Sequence, residues 1–331
     1  MFDGKKVLIT GGTGSLGTAL TRRLLTTNVD TIRIFSRDEL KQVEMSSKFN
    51  EKRLRFLIGD VRDKERLMHA LEDIDIVIHA AALKHVPVIE YNPFEAVKTN
   101  VNGSQNLIEA CLKNNVEKVI AIGTDKAVAP LNTYGTTKLL MERLFVSANY
   151  YKGNHKTSFT CVRYGNVLGS RGSIVPLFVK QIKNNQNVTV TDPTMTRFNI
   201  TMDKALDLIL RAIENGKGGE IFIPKLKAYK VGDIKDAIIQ LFNKNTETEI
   251  IQVRPGEKYH ESLISENEIR NSFETDMDYI LYEHESQQYS TNNFEYEPSK
   301  LTDRYSSDKV ELLSIDELKN ILINENLISK L

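Results

Sequence analysis

The sequence predicts an α/β protein built on a parallel sheet that is wound in both directions and covered by helices on both faces. Two observations carry this prediction. Short apolar segments rich in β-branched residues alternate with helical segments through the first half of the chain, and a glycine-rich turn separates the first strand from the first helix. Strands that are apolar on both faces are typical of parallel sheets buried between helices.

The predicted elements follow one another at short intervals. Apolar periodicity places the first helix at 16–25 and later helices at 176–185 and 203–215. The alternation becomes irregular in the second half, where we expect a smaller mixed α/β domain, and the segment 265–304 is polar with little periodicity. The strands are predicted at 6–10, 31–35, 54–58, 75–79, 118–122, 158–163, 188–190 and 218–223.

The composition excludes several classes of protein. The 331 residues include 44 Lys and Arg against 44 Asp and Glu, so no basic excess indicates a nucleic-acid binder. The apolar runs are shorter than the roughly 20 residues of a membrane span, and the N-terminus enters a strand without room for a signal peptide. Cys111 and Cys161 are interpreted as buried thiols, and no His or Cys has metal-ligand spacing. The sequence therefore predicts a soluble cytoplasmic protein without a metal site.

A dinucleotide site is predicted at the turn after the first strand. Gly12, Gly14 and Gly17 have the spacing G-x-G-x-x-G, and Gly11 extends it to G-x-x-G-x-x-G. Glycines let a pyrophosphate approach the backbone, and the N-terminus of the following helix supplies N–H donors and a positive dipole end. This context is that of a Rossmann-type fold. The predicted contacts in the turn are Gly11, Thr13, Gly14, Ser15, Leu16 and Gly17.

The end of the second strand favours NADP over NAD. NAD sites usually place an acid there for the ribose 2′-hydroxyl, whereas this strand ends in Ser36 and Arg37, which suit a 2′-phosphate. Lys41 adds positive charge one helical turn later. NAD stays open as the alternative, because a small backbone shift would offer the Asp38 carboxylate to the ribose. Further cofactor contacts are predicted at Asp60, Val61, Ala80, Ala81 and Ala82.

These signals divide the chain into two predicted domains. Residues 1–168 form an NADP-binding Rossmann domain, to which 198–229 return. Residues 169–197 and 230–331 form the substrate-binding domain and a C-terminal tail.

Tyr134 and Lys138 form the candidate catalytic pair. Their Tyr-x-x-x-Lys spacing places both side chains on one face of a helix. A free tyrosine, with a pKa of about 10, is a poor base at neutral pH. A neighbouring ammonium and a positive nicotinamide both favour the phenolate, so the pair can take a proton from an alcohol while hydride leaves its carbon.

Together these motifs resemble the extended short-chain dehydrogenase/reductases that act on nucleotide sugars, and more narrowly the UDP-N-acetylglucosamine 4,6-dehydratases that invert C5. The similarity extends from about residue 2 to residue 264. The motifs that carry it are Gly11-x-x-Gly14-x-x-Gly17, 35–41, 79–87, Asn100, 124–127, Tyr134-x-x-x-Lys138, 163–167 and 254–258.

The resemblance implies roles for further residues. Related dehydratases that retain C5 have two adjacent acids where this chain has Asp125 and Lys126, which implies Lys126 as the base at C5 and Asp125 as the acid at O6. The amine must then be neutral for part of the cycle, through burial or nearby positive charge. Thr124 joins the implied catalytic group. The other implied cofactor contacts are Lys84, Asn100 and Val167, and the implied substrate contacts are Lys84, Asn166, Arg171, Gly172, Ser173, Arg197, Arg254 and Glu257.

The resemblance implies an enzyme that binds UDP-N-acetylglucosamine, keeps NADP tightly bound and recycles it, forms a dimer or hexamer, and supplies pseudaminic acid biosynthesis. Three alternatives stay open. A UDP-sugar 4-epimerase would share Tyr134 and Lys138 but has no need of Asp125 and Lys126. A capsule-pathway dehydratase is a close rival, although some of those relatives lack the tyrosine. A non-catalytic NADP-binding sensor would need none of the four residues.

Overall fold

The computed structural model describes residues 1–244, 246–282 and 296–328. Six parallel strands make up the first half of its central sheet, and helical crossovers join them. The strands are β1 (Lys6–Thr10), β2 (Thr31–Ser36), β3 (Leu54–Ile58), β4 (Ile76–His79), β5 (Lys118–Ile122) and β6 (Ser158–Val162). The crossover helices are α1 (Ser15–Leu24), α2 (Glu39–Phe49), α3 (Lys64–Ala70), α4 (Val86–Tyr91), α5 (Pro93–Ala96), α6 (Gly103–Lys113) and α7 (Thr133–Tyr151).

The second half of the chain returns to this sheet and also builds a smaller lobe. Its helices are α8 (Ile174–Lys183), α9 (Met202–Asn215), α10 (Val231–Phe242) and α11 (Ile315–Asn324). Its strands are β7 (Val188–Val190), β8 (Thr196–Phe198), β9 (Glu220–Pro224), β10 (Ala228–Lys230), β11 (Thr248–Ile250), β12 (Ser262–Ile264), β13 (Ser272–Glu274), β14 (Asp278–Tyr282), β15 (Glu297–Pro298) and β16 (Tyr305–Ser306).

The central sheet has the order β15-β13-β14-β9-β6-β5-β4-β1-β2-β3. Every pairing from β9 to β3 is parallel, and the direction of winding reverses between β1 and β4. This arrangement confirms the predicted doubly wound α/β fold. In such sheets ligands bind beyond the carboxyl ends of the strands at the point of reversal.

The polar segment 265–304 differs from its prediction. Its described residues include β13, β14 and β15, which extend the central sheet as antiparallel strands. Ile280 and Leu281 on β14 are buried, and Arg211 on α9 donates to the carboxylate of Asp278 at 2.6 and 2.7 Å. Strands this short leave little periodicity in a sequence. The division into two domains stays a prediction, but these strands lie within 230–331 and join the sheet of the first lobe.

Apolar side chains fill both faces of the sheet because successive strand residues point to opposite sides. Leu8 and Val77 pack into the cluster on one face, and Ile9 and Ile78 pack into the cluster on the other. A third apolar cluster lies in the smaller lobe between α8, α10 and α11. The rigid sheet therefore carries the loops at its carboxyl edge.

A π-helical turn, Val97–Asn102, joins α5 to α6. Within it the Asn100 side chain accepts a hydrogen bond from the Leu83 N–H at 2.8 Å and donates to the Leu83 carbonyl at 3.0 Å. The same amide donates to the Thr137 hydroxyl at 3.0 Å. Asn100 thus ties the loop after β4 to helix α7. Such turns occur frequently at functional sites.

Arg163, which follows β6, is a fully buried cation. Its guanidinium lies 2.8 Å from the Glu142 carboxylate on α7 and 3.0 Å from the Glu268 carboxylate, and it donates to the Leu263 carbonyl at 2.9 Å. We expect Arg163→Met to lower the free energy of unfolding by about 3–5 kcal/mol, because Glu142 would become an unpaired buried charge. Urea denaturation followed by circular dichroism measures this loss.

The matched control for that substitution is Arg23→Met. Arg23 lies 2.6 Å from the Asp207 carboxylate, but both side chains are partly exposed. Its loss is expected to cost about 1 kcal/mol or less. Equal losses in the two variants would contradict the structural role of Arg163.

Candidate active site

Two adjoining cavities lie at the carboxyl edge of the sheet. The first has a volume of about 640 Å³ and contains the glycine turn after β1. The second, of about 650 Å³, extends from the loop after β4 to the smaller lobe. The residues that line both are Lys84, His85, Thr124, Tyr134, Asn166 and Ser170. A molecule in the first cavity therefore meets a molecule in the second at Tyr134.

The glycine turn fits the pyrophosphate of a dinucleotide. Gly11 has a φ of +64°, and a Cβ there would lie 2.9 Å from the backbone of Ala81. Gly14 is the N-cap of α1 and supplies no capping side chain, so the first N–H groups of the helix stay available to an anion. All the predicted contacts of the turn line the first cavity: Gly11, Thr13, Gly14, Ser15, Leu16 and Gly17.

The residues predicted to contact the 2′-phosphate also line the first cavity: Ser36 and Arg37 at the end of β2, and Lys41 on α2. The Asp38 carboxylate is engaged within its own helix: it accepts a hydrogen bond from the Lys41 N–H at 3.0 Å and pairs with the Lys41 ammonium. These hydrogen bonds lower the pKa of Asp38. Arg37 lies 3.5 Å from the Asp60 carboxylate and is half-exposed.

The other predicted cofactor residues differ in where they lie relative to the two cavities. Asn100, which is buried, is not among the described residues that line either cavity, and it positions the Leu83 backbone instead. Lys84 lines both cavities and donates to the Arg171 carbonyl at 3.0 Å. Burial lowers the pKa of Lys84, with Arg171 and Lys126 acting in the same direction. The remaining predicted residues line the first cavity: Asp60, Val61, Ala80, Ala81, Ala82 and Val167.

Tyr134 and Lys138 occupy the first two turns of α7, below the junction of the cavities. Burial raises the pKa of Tyr134 to about 12, while the nearby charge of Lys126 and a hydrogen bond with Thr124 oppose this rise. Lys138 is buried, which lowers its pKa to about 8, and its amine donates to the Ile122 carbonyl at 2.5 Å. Lys126 thus favours the Tyr134 phenolate in this structure, and the same role for Lys138 stays a prediction.

Asp125 and Lys126 lie in a short 3₁₀ turn after β5. The Lys126 amine lies 3.0 Å from the Asp125 carboxylate and donates to the Asn166 side chain at 3.2 Å. Thr124 donates to the same Asp125 oxygen at 2.9 Å. Lys126 lines the second cavity, but the buried Asp125 is not among the described residues that line either cavity.

Glu261 is a site residue that the sequence analysis missed. It lies directly before β12, lines the second cavity, and approaches the Lys126 amine to 3.4 Å. Burial lowers the pKa of Lys126, but Asp125 and Glu261 outweigh it and raise that pKa above its ordinary value. Burial alone therefore does not give the neutral Lys126 amine that the predicted role as a base requires. No local pattern marks Glu261, because its partner is distant in the sequence.

Most of the predicted substrate contacts line the second cavity. Arg197 on β8 donates to the Tyr259 carbonyl at 3.1 Å and to the Glu257 carboxylate at 3.3 Å, which fixes its guanidinium at the cavity wall. The predicted residues found there are Lys84, Asn166, Gly172, Ser173, Arg197, Arg254 and Glu257.

Arg171, predicted as a substrate contact, lies beside the glycine turn. It lines the first cavity, and its guanidinium donates to the Thr13 carbonyl at 3.0 Å and to the Ser15 hydroxyl at 3.2 Å. Gly172, with a φ of +78°, reverses the backbone direction directly after it. The guanidinium therefore covers the glycine turn, while Gly172 and Ser173 face the second cavity.

Across the three described ranges, no helix has the length and apolar character needed to cross a membrane. The same ranges contain no group of three or more His, Cys, Asp or Glu side chains placed to hold a metal ion.

Comparison with known proteins agrees with this geometry. The family model described as polysaccharide biosynthesis protein matches residues 7–283. An inverting UDP-N-acetylglucosamine 4,6-dehydratase from Campylobacter jejuni is 50% identical over 283 residues, which cover 85% of this chain and 84% of that protein. A UDP-glucose 4-epimerase from Rickettsia felis is 41% identical, covering 98% of this chain and 97% of that protein.

A solved structure shares the whole fold. The X-ray structure of Pen from Bacillus thuringiensis is 41% identical, covers 98% of each chain and superposes with a TM-score of 0.91. The resemblance inferred from the motifs is confirmed. The chain belongs to the polysaccharide biosynthesis protein family, among the extended short-chain dehydrogenase/reductases that include the inverting UDP-N-acetylglucosamine 4,6-dehydratases.

Proposed function

We propose that this protein is an NADP-dependent UDP-N-acetylglucosamine 4,6-dehydratase that inverts C5. Its product would be UDP-2-acetamido-2,6-dideoxy-L-arabino-hex-4-ulose. One observation carries the proposal: Tyr134, suited to alcohol oxidation, and Lys126, paired with carboxylates, line the same cavity wall. Oxidation at C4 needs only the first of these groups, whereas removal of water across C5–C6 also needs the second.

The residues of this chain divide the proton transfers between them. Tyr134 accepts the O4 proton, and the positive charge of Lys126 stabilises the phenolate that must form first. NADP held by the glycine turn and the end of β2 would supply the hydride acceptor for C4 and the hydride donor for C6. Lys126 removes the C5 proton, which the C4 ketone has made acidic. Asp125 is proposed to take that proton from the Lys126 ammonium across their 3.0 Å contact and to give it to O6 as water leaves. A proton then returns to C5 from the opposite face.

The choice of NADP depends on Arg37. The Asp38 carboxylate is held by Lys41, so the half-exposed Arg37, which lines the first cavity, is the cation proposed to contact a 2′-phosphate. We expect Arg37→Ala to weaken NADP binding about tenfold or more and to leave NAD binding within about twofold, because a charge-assisted contact is lost only with the phosphate. Calorimetric titration of both nucleotides into cofactor-stripped protein measures the two affinities.

The control for Arg37 is Arg55→Ala, which removes an exposed guanidinium from β3. It should leave both affinities unchanged. Equal weakening of NADP and NAD by Arg37→Ala, or tighter binding of NAD in the unchanged protein, would contradict NADP specificity.

The experiment that tests the proposed function is an incubation of purified protein with UDP-N-acetylglucosamine in D₂O, followed by proton NMR. We expect the C6 hydroxymethyl signals to be replaced by a C6 methyl signal without coupling to C5, because C5 takes deuterium, and the ring couplings to be those of the L-arabino product. Formation of UDP-N-acetylgalactosamine alone would contradict the proposal and indicate 4-epimerisation.

The 4-epimerase is the second candidate, because a UDP-glucose 4-epimerase is 41% identical to this chain. An epimerase returns the hydride to C4 and leaves C5–H intact. A base at C5, the role proposed for Lys126 beside its two carboxylate partners, has no use in that reaction, which favours the dehydratase.

Further attributes stay predictions. We propose a cytoplasmic homo-oligomer, a dimer or a hexamer, whose product supplies pseudaminic acid. Mass photometry of the purified protein tests the oligomeric state.

A further inference from the structure

Glu261 is held rigidly beside Lys126. Its backbone N–H donates to the Ser307 hydroxyl at 3.0 Å, and its carbonyl accepts from the Ser307 N–H at 2.8 Å. Its side chain is almost fully buried, and one carboxylate oxygen lies 3.4 Å from the Lys126 amine. Because the backbone is fixed from both sides, the carboxylate keeps its place at the wall of the second cavity.

The second carboxylate oxygen of Glu261 is buried without a hydrogen-bond partner. An unpaired buried acceptor is costly, and such groups occur where a function requires them. Asp125 differs, because one of its oxygens accepts from both the Thr124 hydroxyl and the Lys126 amine. Of the two carboxylates beside Lys126, Glu261 therefore gives up fewer hydrogen bonds when it takes a proton.

Lys126 needs such a proton acceptor. A base at C5 must begin as a neutral amine, yet Asp125 and Glu261 together favour the ammonium. Loss of the proton to water would leave two unpaired carboxylates in a buried site, which is unfavourable. Transfer of the proton from the Lys126 ammonium to the Glu261 carboxylate removes one positive and one negative charge at once. The titratable and charged groups that face this pair are Lys84, Asp125, Tyr134, Arg197, Tyr229 and Lys258.

We propose that Glu261 is a positioning residue that holds the proton of Lys126 during elimination. One N–H bond of the ammonium breaks and one O–H bond of Glu261 forms, so an ion pair becomes a neutral pair without any co-reactant. The neutral amine then takes the C5 proton of the substrate and becomes an ammonium again. This inference rests on the proposed dehydratase function and deepens it.

The test compares the pH dependence of C5 hydrogen exchange in the unchanged protein and in Glu261→Gln. Glutamine keeps the shape of the side chain but cannot take the proton. With Glu261 in place the exchange rate should stay nearly constant from about pH 6 to about pH 9, because the transfer releases no proton to water. In Glu261→Gln the remaining carboxylate, Asp125, is already engaged by hydrogen bonds from Thr124 and Lys126, so we expect the neutral amine to form by loss of a proton to water. The rate should then rise about tenfold per pH unit and fall about 100-fold or more at pH 7.

Two further variants separate this role from a structural one. Glu261→Asp should restore part of the flat profile, and Glu266→Gln, which alters an exposed acid after β12, should leave rate and profile unchanged. A merely structural role would lower the rate equally at every pH. Parallel profiles in Glu261→Gln and the unchanged protein would overturn the inference, as would a tenfold rise per pH unit in the unchanged protein itself.

Failure of the proposed function and failure of the role proposed for Glu261 give different results. If the unchanged protein forms no dehydrated product, the proposed function is wrong. If it forms that product and the profile of Glu261→Gln stays flat, only the role of Glu261 is wrong. Bound-cofactor content and thermal melting of each variant show that the compared proteins are folded.

Discussion

Replacing Lys126 by alanine is expected to slow dehydration by about 10³-fold or more while oxidation at C4 stays detectable. The Lys126 amine lines the second cavity and lies 3.0 Å from the Asp125 carboxylate and 3.4 Å from the Glu261 carboxylate. Without it the site loses the base that we propose takes the C5 proton. Reduced nicotinamide should therefore accumulate after UDP-N-acetylglucosamine is added, and deuterium should not enter C5.

The control is Lys183→Ala, which removes an exposed lysine from the last turn of α8. It should turn over substrate at the rate of the unchanged protein. Stopped-flow absorbance measures the reduced nicotinamide, and NMR measures the methyl product. Dehydration by Lys126→Ala at more than about a tenth of the unchanged rate would show that another group is the base at C5.

Replacing Tyr134 by phenylalanine is expected to stop the reaction one step earlier, with a loss of about 10³-fold or more in oxidation at C4. The phenol lines both cavities and is the group proposed to accept the O4 proton. Its pKa, raised to about 12 by burial, keeps the free protein in the phenol form at neutral pH. Lys126 already opposes this rise in the free protein, and a bound positive nicotinamide would lower the pKa further, so the phenolate should form only in the complex.

The expected readout for Tyr134→Phe is an absence of reduced nicotinamide at every pH, with cofactor content unchanged. Tyr151→Phe, at the exposed end of the same helix, is the matched control and should oxidise substrate normally. Accumulation of reduced nicotinamide in Tyr134→Phe would contradict the role of the phenol. The two variants therefore block successive steps, and only Lys126→Ala should accumulate the 4-keto sugar.

Much of the fold and of the first cavity can be predicted from local sequence signals. The apolar strands and the glycine turn are contiguous in sequence, so their spacing alone places Gly11 and Gly14 between β1 and α1. Tyr134 and Lys138 share a helix, and Asp125 and Lys126 share a turn. Such patterns need no knowledge of long-range contacts.

The remaining features of the fold and the site depend on contacts between segments that are distant in the sequence. Glu261 meets Lys126 only because β12 packs beside the turn after β5, and no spacing in the sequence records that approach. The resemblance implies Arg171 as a substrate contact, and only the fold shows that its guanidinium reaches the glycine turn. The strand Asp278–Tyr282 is too short to show a period, and its place in the sheet is set by pairing with β9.

The π-helical turn Val97–Asn102 has a genetic consequence. Each residue added to or removed from a helix rotates the rest of that helix by about 100°. Deletion of a single codon in this turn would restore ordinary helical spacing but turn Asn100 away from Leu83 and Thr137, and Thr99 away from the first cavity. The reading frame would survive while the site would be lost. The number of residues between α5 and α6 is therefore constrained more tightly than the identity of its exposed side chains.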